Sequence, residues 1–322
     1  MNDKNILWYD NFIESLHKKF PKKSKLVEEL VKLLDIESVL AYRRLRKEVY
    51  FSSSEIVKIS SAWEISMDKI IGVNNDKINF QMFPVNFYNP QKADLDYLQT
   101  TIQLFNRLKD NSFSEYIEVC NKLPRSLVVR FPHVRNFYKF MWMYKYDIEN
   151  QDIPYSKVIF SEQMQKIMED YVNSTMNIKE ISYIFDKFLF NHLIEEIHYF
   201  HEIKLITDTE KESIKNDLLK LLNFLLESAN IGKFSDTQNK LNLYVSHINI
   251  DTNYSCFSNE EYKIFRVHLF GEYESKNYNP EIVLNFMKLL QLKKNSAVLI
   301  SGSDKKSRIE YFAKQREIIE KL

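Results

Sequence analysis

LVEELVKLLDIESVLAYRRLRKE, residues 26–48, decides how this chain is read. Ser24 caps a helix that runs through Leu34, Asp35 and Ile36 make a short turn, and residues 37–46 form the next helix. On that helix Ile36, Leu40, Ala41 and Leu45 can face a core. Ser38, Val39, Tyr42, Arg43 and Arg46 then share the opposite side. The surroundings are basic: residues 17–48 carry ten Lys or Arg against five acids, while the whole chain of 322 residues has a formal charge of only +1. Positive charge is therefore segregated toward the N-terminus.

Working outward, Tyr9, Phe12, Ile13, Leu16 and Phe20 recur at helical spacing and stop before Pro21. Ser52 and Glu55 have capping-box spacing ahead of Ile56, Ile59, Ala62 and Trp63, which gives a fourth helix. Ser66 starts a short fifth helix carrying Met67, Ile70 and Ile71, and Gly72 supplies its left-handed end. Residues 73–90, rich in Asn and holding Pro84 and Pro90, read as a linker.

Beyond the linker, Leu98, Ile102 and Phe105 form a short seam, and helices are expected over 133–147, 161–175, 179–203 and 208–228. Ile248, Ile250, Thr252, Tyr254 and Cys256 alternate, as do Phe265, Val267 and Leu269, with a turn at 258–261 between them. A β-hairpin is predicted there. Asn279 and Pro280 start another helix, and the C-terminal stretch closes the chain with one more. The expected fold is mainly α: a five-helix N-terminal domain over 1–72, then a larger helical domain over 91–322 with a small hairpin.

Several function classes are excluded. Only four glycines occur, widely separated, so the Gly-rich phosphate cradles are absent. Cys120 and Cys256 share no metal or disulfide spacing. Glu195-x-x-His198, with His201 after it, has ligand-like spacing, yet a di-iron bundle needs a second such motif and the chain has none, so a polar helix stripe is expected. ISGSDKKSR, residues 300–308, could offer Lys305, Lys306 and Arg308 to an anion, but capping by Ser303 or Asp304 is the plainer reading. No nucleophile elbow accompanies the scattered Ser, His and Asp. The expectation is a cytoplasmic, membrane-free protein with no catalytic residues, no metal and no cofactor.

Helix, tight turn and a second helix with a basic outer face is the physical plan of a helix-turn-helix, whose second helix enters the major groove, about 12 Å wide. The stretch from Leu26 to Gly72, with Leu34-Asp35-Ile36 at the turn, YRRL at 42–45, the capped fourth helix and ISMDKIIG at 65–72, resembles the phage-repressor and xenobiotic-response-element type of helix-turn-helix. The family usually has Gly where this chain has Asp35. CNKLP at 120–124, LYVSHINIDTNY at 243–254 and the stretch 300–319 are similar to bacterial transcription regulators that join this domain to a long helical region.

The resemblance implies a lambda-repressor-like, five-helix domain on double-stranded DNA, in a homodimer whose C-terminal domain dimerises or senses an unknown small-molecule effector. Ser38, Val39, Tyr42, Arg43, Arg44 and Arg46 are the candidate DNA contacts, with Lys25 and Lys47 on phosphates. The competing expectation is a protein-interaction adaptor whose helix-turn-helix is not used on DNA.

Overall fold

The computed structural model describes residues 3–63, 65–71, 81–82, 90–108, 113–147, 152–269 and 273–322. The chain divides into two units, Met1–Asn79 and Phe80–Leu322. The division falls within the stretch read as a linker. Of that stretch only Gln81–Met82 and Pro90 are described, so the rest of the linker and the end of the fifth helix at Gly72 lie outside the described residues.

The first unit holds α1 (Asp3–Lys19), α2 (Lys23–Leu34), α3 (Ser38–Leu45), α4 (Ser53–Trp63) and α5 (Met67–Ile71). α1 stops ahead of Pro21, whose ring and missing N–H cannot continue a helix. α2 begins one residue before the expected Ser24 cap, with Lys22 at the cap position and no side-chain cap bond. The capping box of α4 is formed: Ser52 N–H donates to Glu55 Oε2 at 2.6 Å, and Glu55 N–H to Ser52 Oγ at 3.3 Å. Phe12, Leu16, Leu26, Leu30, Ala41 and Ile59 are fully buried at the centre of these helices. Phe51 closes on Phe12 edge to face, with ring centroids 5.9 Å apart.

The second unit overturns the mainly α expectation. Among the described residues it contains an eight-stranded mixed sheet, making it an α/β fold. Its elements are β1 (Gln81–Met82), α6 (Pro90–Leu108), β2 (Glu115–Cys120), α7 (Arg125–Val128), α8 (Pro132–Tyr146), α9 (Glu162–Met176), β3 (Glu180–Asp186), α10 (Leu189–Glu202), α11 (Asp208–Ile231), β4 (Lys240–Ser246), β5 (Tyr254–Ser258), β6 (Lys263–Leu269), β7 (Tyr273–Asn277), α12 (Pro280–Asn295), β8 (Ala297–Leu299) and α13 (Lys305–Glu320). Strand order is β1-β7-β6-β5-β2-β3-β4-β8. β2, β3 and β4 are parallel, and every other pairing is antiparallel. The predicted hairpin exists as β5 and β6, in register Cys256 to Phe265, though its first strand starts only at Tyr254, so Ile248, Ile250 and Thr252 precede it in a loop, and it is an inner part of this sheet rather than an isolated ornament.

The largest misreading is 179–203, expected as one helix. β3 occupies its start and α10 its end. The break is made by Asp186, whose carboxylate accepts the N–H of Phe188 and that of Ile250, both at 2.8 Å. β3 is buried on both faces, with Ile181, Tyr183 and Phe185 toward one core and Ile184 toward the other. Such a strand reads as an apolar run without alternation.

The larger core lies under α6 to α11 and α13, and the smaller one under α12, where Val283 and Leu290 are fully buried. Among the described residues no helix is long and apolar enough to cross a membrane.

One ion pair is set deep in the sheet. Arg266 on β6 and Glu274 on β7, with side chains 1% and 2% exposed, meet at 2.8 Å. Arg266 Nε also donates to Ser255 Oγ at 3.1 Å, and the guanidinium lies 4.2 Å from the Phe257 ring centroid. Burial alone would push the Glu274 carboxyl up, but Arg266, His268 and Lys276 outweigh it and hold it below its ordinary value. Arg266→Met should therefore destabilise the second unit by about 3–5 kcal/mol in chemical denaturation, because it strands a buried carboxylate.

Glu118 on β2 shows the opposite balance. Burial raises its carboxyl from 4.5 to about 7, against the 2.6 Å hydrogen bond from the Tyr116 hydroxyl and the pull of Arg266. A carboxyl that holds its proton more tightly folded than unfolded costs stability as it ionises. Between pH 4.5 and about 7 this group should remove on the order of 3 kcal/mol, and Glu118→Gln should flatten that part of the stability profile.

Candidate nucleic-acid interface

α2 and α3 are joined by Asp35, Ile36 and Glu37. Asp35 has φ 54° and ψ 50°, the left-handed conformation that Asp tolerates better than most side chains, and its N–H bonds Val31 O at 2.9 Å. α3 ends at Leu45 because Lys47 turns to φ 64° and the Glu48 N–H returns to the Arg43 carbonyl at 3.0 Å.

Rotation of about 100° per residue then sorts the side chains of α3. Ala41 and Leu45 enter the core, and Leu40 is half-buried. Ser38, Val39, Arg43 and Arg46 are exposed, and Tyr42, half-buried among them, has the Lys23 ammonium 5.8 Å from its ring centroid. Val39 is 63% exposed, an apolar side chain in the middle of a polar face. Arg43 and Arg46 both approach Glu48, at 3.4 and 3.3 Å, while remaining about half in solvent. Lys25 is exposed on α2.

Two of the grouped cations are otherwise engaged. Arg44 points away from the exposed face: it pairs with Glu55 at 2.9 Å, donates to the Tyr50 carbonyl, and lies 5.4 Å from the Phe51 ring centroid. Its side chain is 12% exposed, so it ties α3 to the start of α4. Lys47 pairs with Asp10 on α1 while keeping about half its surface in water.

The other motifs resolve as structure. Glu195 is exposed, and His201 Nε2 meets Asp208 at 2.7 Å. Among the described residues no three His, Cys, Asp or Glu gather as a metal-holding group. Asp304 caps α13 by accepting the Ser307 N–H at 3.0 Å, and Arg308 is consumed by Asn230 Oδ1 and the carbonyls of Ile300 and Ser303. Gly302, at φ 70°, lets the loop approach Gly232 at the end of α11, where an added Cβ on Gly232 would meet Gly302 Cα at 3.5 Å.

One feature escaped the sequence reading entirely: a cavity in the second unit, walled by Arg135, Lys139 and Trp142 of α8. Its signal was present as three- and four-residue spacing of basic and aromatic residues within 133–147. No family model matches the chain, and no curated protein or solved structure matches it either.

The neighbours Arg43 and Arg44 should part company on substitution. Arg44→Ala should lower the melting temperature of the first unit, because it leaves Glu55 without its partner and uncovers Phe51. Arg43→Ala should leave it within about 0.5 kcal/mol of the parent, as for a surface change.

Proposed function

We propose that the chain is a sequence-specific double-stranded DNA-binding transcription regulator, with α3 reading the major groove. The observation that carries this reading is the outer face of α3, where Ser38, Val39, Tyr42, Arg43 and Arg46 are presented together above a core-facing Ala41 and Leu45. The guanidinium fork of Arg43 or Arg46 matches guanine O6 and N7, and Val39 suits a thymine methyl. Exposed Lys25 on α2 and Lys47, whose pair with Asp10 is half in water, serve phosphates. A domain of this size covers too little DNA for strong specificity, so the regulator acts as a homodimer on a two-fold symmetric site, and the second unit supplies dimerisation or sensing.

Glu48 competes with DNA for both arginines. Half-exposed ion pairs contribute only about 0–1 kcal/mol, so exchange with a phosphate or base is inexpensive.

The test begins by selecting duplexes from a genomic library and measuring affinity against salt. Binding should weaken steeply as salt rises, since counterions are released from each neutralised phosphate. Arg43→Ala should cost about 1–3 kcal/mol on the selected site and little on random duplex, Lys47→Ala should weaken both alike, and Glu48→Gln should tighten both. No salt-dependent duplex binding would overturn the reading in favour of an adaptor.

A further inference from the structure

We propose that the second unit binds a small aromatic anion, a carboxylate or phosphate on a flat ring body, in the cavity at the carboxyl end of β2. The cavity has a volume of about 370 Å³, within the range of small-molecule sites. It lies beyond the carboxyl end of β2, at the boundary between the parallel and antiparallel halves of the sheet. β2 pairs parallel with β3 on one side and antiparallel with β5 on the other. The segment leaving β2, the loop entering β5 and the end of β6 therefore converge on one edge, and all three line the cavity. They are stitched together there: Asn121 N–H donates to Asn253 Oδ1 at 2.6 Å, and His268 N–H to the Asn253 carbonyl at 2.9 Å.

The fourth wall is α8. Arg135, Tyr138, Lys139, Trp142 and Lys145 fall at three- and four-residue steps on one side of that helix. Lysines and arginines of the lining outnumber its carboxylates five to two. One of those two, Glu118, is about half protonated at neutral pH, because burial raises its carboxyl to about 7. Lys145 is paired with Glu196 at 2.8 Å, so the cationic excess of the lining is smaller than the count and rests chiefly on Arg135 and Lys122. Arg135 has no carboxylate within ion-pairing distance among the described residues; its Nε reaches Asn136 Oδ1 at 3.5 Å, and its guanidinium lies 5.2 Å from the Phe160 ring centroid. An arginine fork so placed suits a carboxylate or phosphate.

Two buried polar groups without a protein partner, one of them an N–H donor, add to the argument independently of charge. Trp142 is only 4% exposed, yet its buried Nε1–H has no protein partner. His268 Nε2 is likewise buried without a partner, while its Nδ1 is 3.7 Å from Glu274. Burial drives the His268 imidazole down to about 4, so at neutral pH it is an uncharged hydrogen-bonding group. A buried indole N–H normally finds an acceptor. A bound anion supplies one, and the rings of Trp142, Tyr138 and Phe160 flank its body.

The test is calorimetric titration of the full chain, without DNA, using two matched pairs: indole-3-acetate with indole, and adenosine monophosphate with adenosine. At least one anion should bind about tenfold or more tightly than its neutral counterpart. A response to indole-3-acetate alone assigns a carboxylate, and to adenosine monophosphate alone a phosphate; both support the proposal. Arg135→Gln should weaken binding about tenfold, exposed Lys122→Gln should weaken it severalfold while keeping the fold, and Lys314→Gln on α13 should change nothing. Trp142→Phe, which keeps an aromatic ring but removes the N–H, should weaken binding. The idea is overturned if neither anion gives heat or a melting shift, if the neutral molecules bind equally well, or if Lys122→Gln and Trp142→Phe both bind as the parent does. Because no DNA is present, this outcome is independent of the regulator reading.

Discussion

β2 is buried on both faces and paired on both edges, and this double constraint organises the second unit. Period-two geometry sends Tyr116, Glu118 and Cys120 toward one core face and Ile117 and Val119 toward the other. A slip of one residue would drive Glu118 into the apolar core under α12 and lift Ile117 and Val119 into the polar cluster, so register is strongly specified. The pairing Val119 to Ile184 and Val119 to Tyr254 then fixes where the strand ends relative to both neighbours. The cavity is a consequence of that ending: on one side the chain departs into α7, and on the other it arrives from the loop at 251–253.

The polar cluster on the same face as Glu118 follows from the same register. Tyr116 donates to Glu118, and Arg266 Nη2 lies 3.5 Å from the Tyr116 hydroxyl while binding Glu274. Ion pairs at this depth are poor sources of stability, since desolvation offsets most of the attraction. Their value is geometric. Every member constrains the next, and Glu118 and His268, at its margin, face the cavity as a fixed floor.

The helices were legible in the sequence because one buried stripe each leaves a three- and four-residue spacing, and the caps at Ser52, Asp304 and Asn279 were legible because their chemistry is local. The hairpin was legible for the same local reason, since the Asn259 side chain closes its turn on the N–H groups of Glu261 and Tyr262. Every strand outside the hairpin escaped, the central β2, β3 and β4 among them. Strands covered on both sides carry no alternation, and β3 runs into α10 with neither Gly nor Pro between them. With the sheet unseen, the cavity could not be assembled either. The stripe of α8 was visible as a helix, but Glu118 and His268 are brought together through the β2–β5 pairing, whose partners lie more than a hundred residues apart in sequence, and then the local β5–β6 hairpin.

In the first unit the limit of sequence reading is a matter of angle rather than of element. Arg43, Arg44 and Arg46 are alike in charge and nearly adjacent, yet a rotation of about 100° per residue puts Arg44 over Phe51 and against Glu55 while its neighbours stay in water. Arg44 and Glu55 are largely desolvated, so separating them would leave two poorly hydrated charges. Arg43 and Arg46 share one half-exposed carboxylate, and water replaces it at little cost. The count of basic residues therefore overstates what this helix can offer to an anionic partner. The capacity to bind lies in those guanidinium groups whose present partner is weak, and Arg43 and Arg46 on α3 meet that condition.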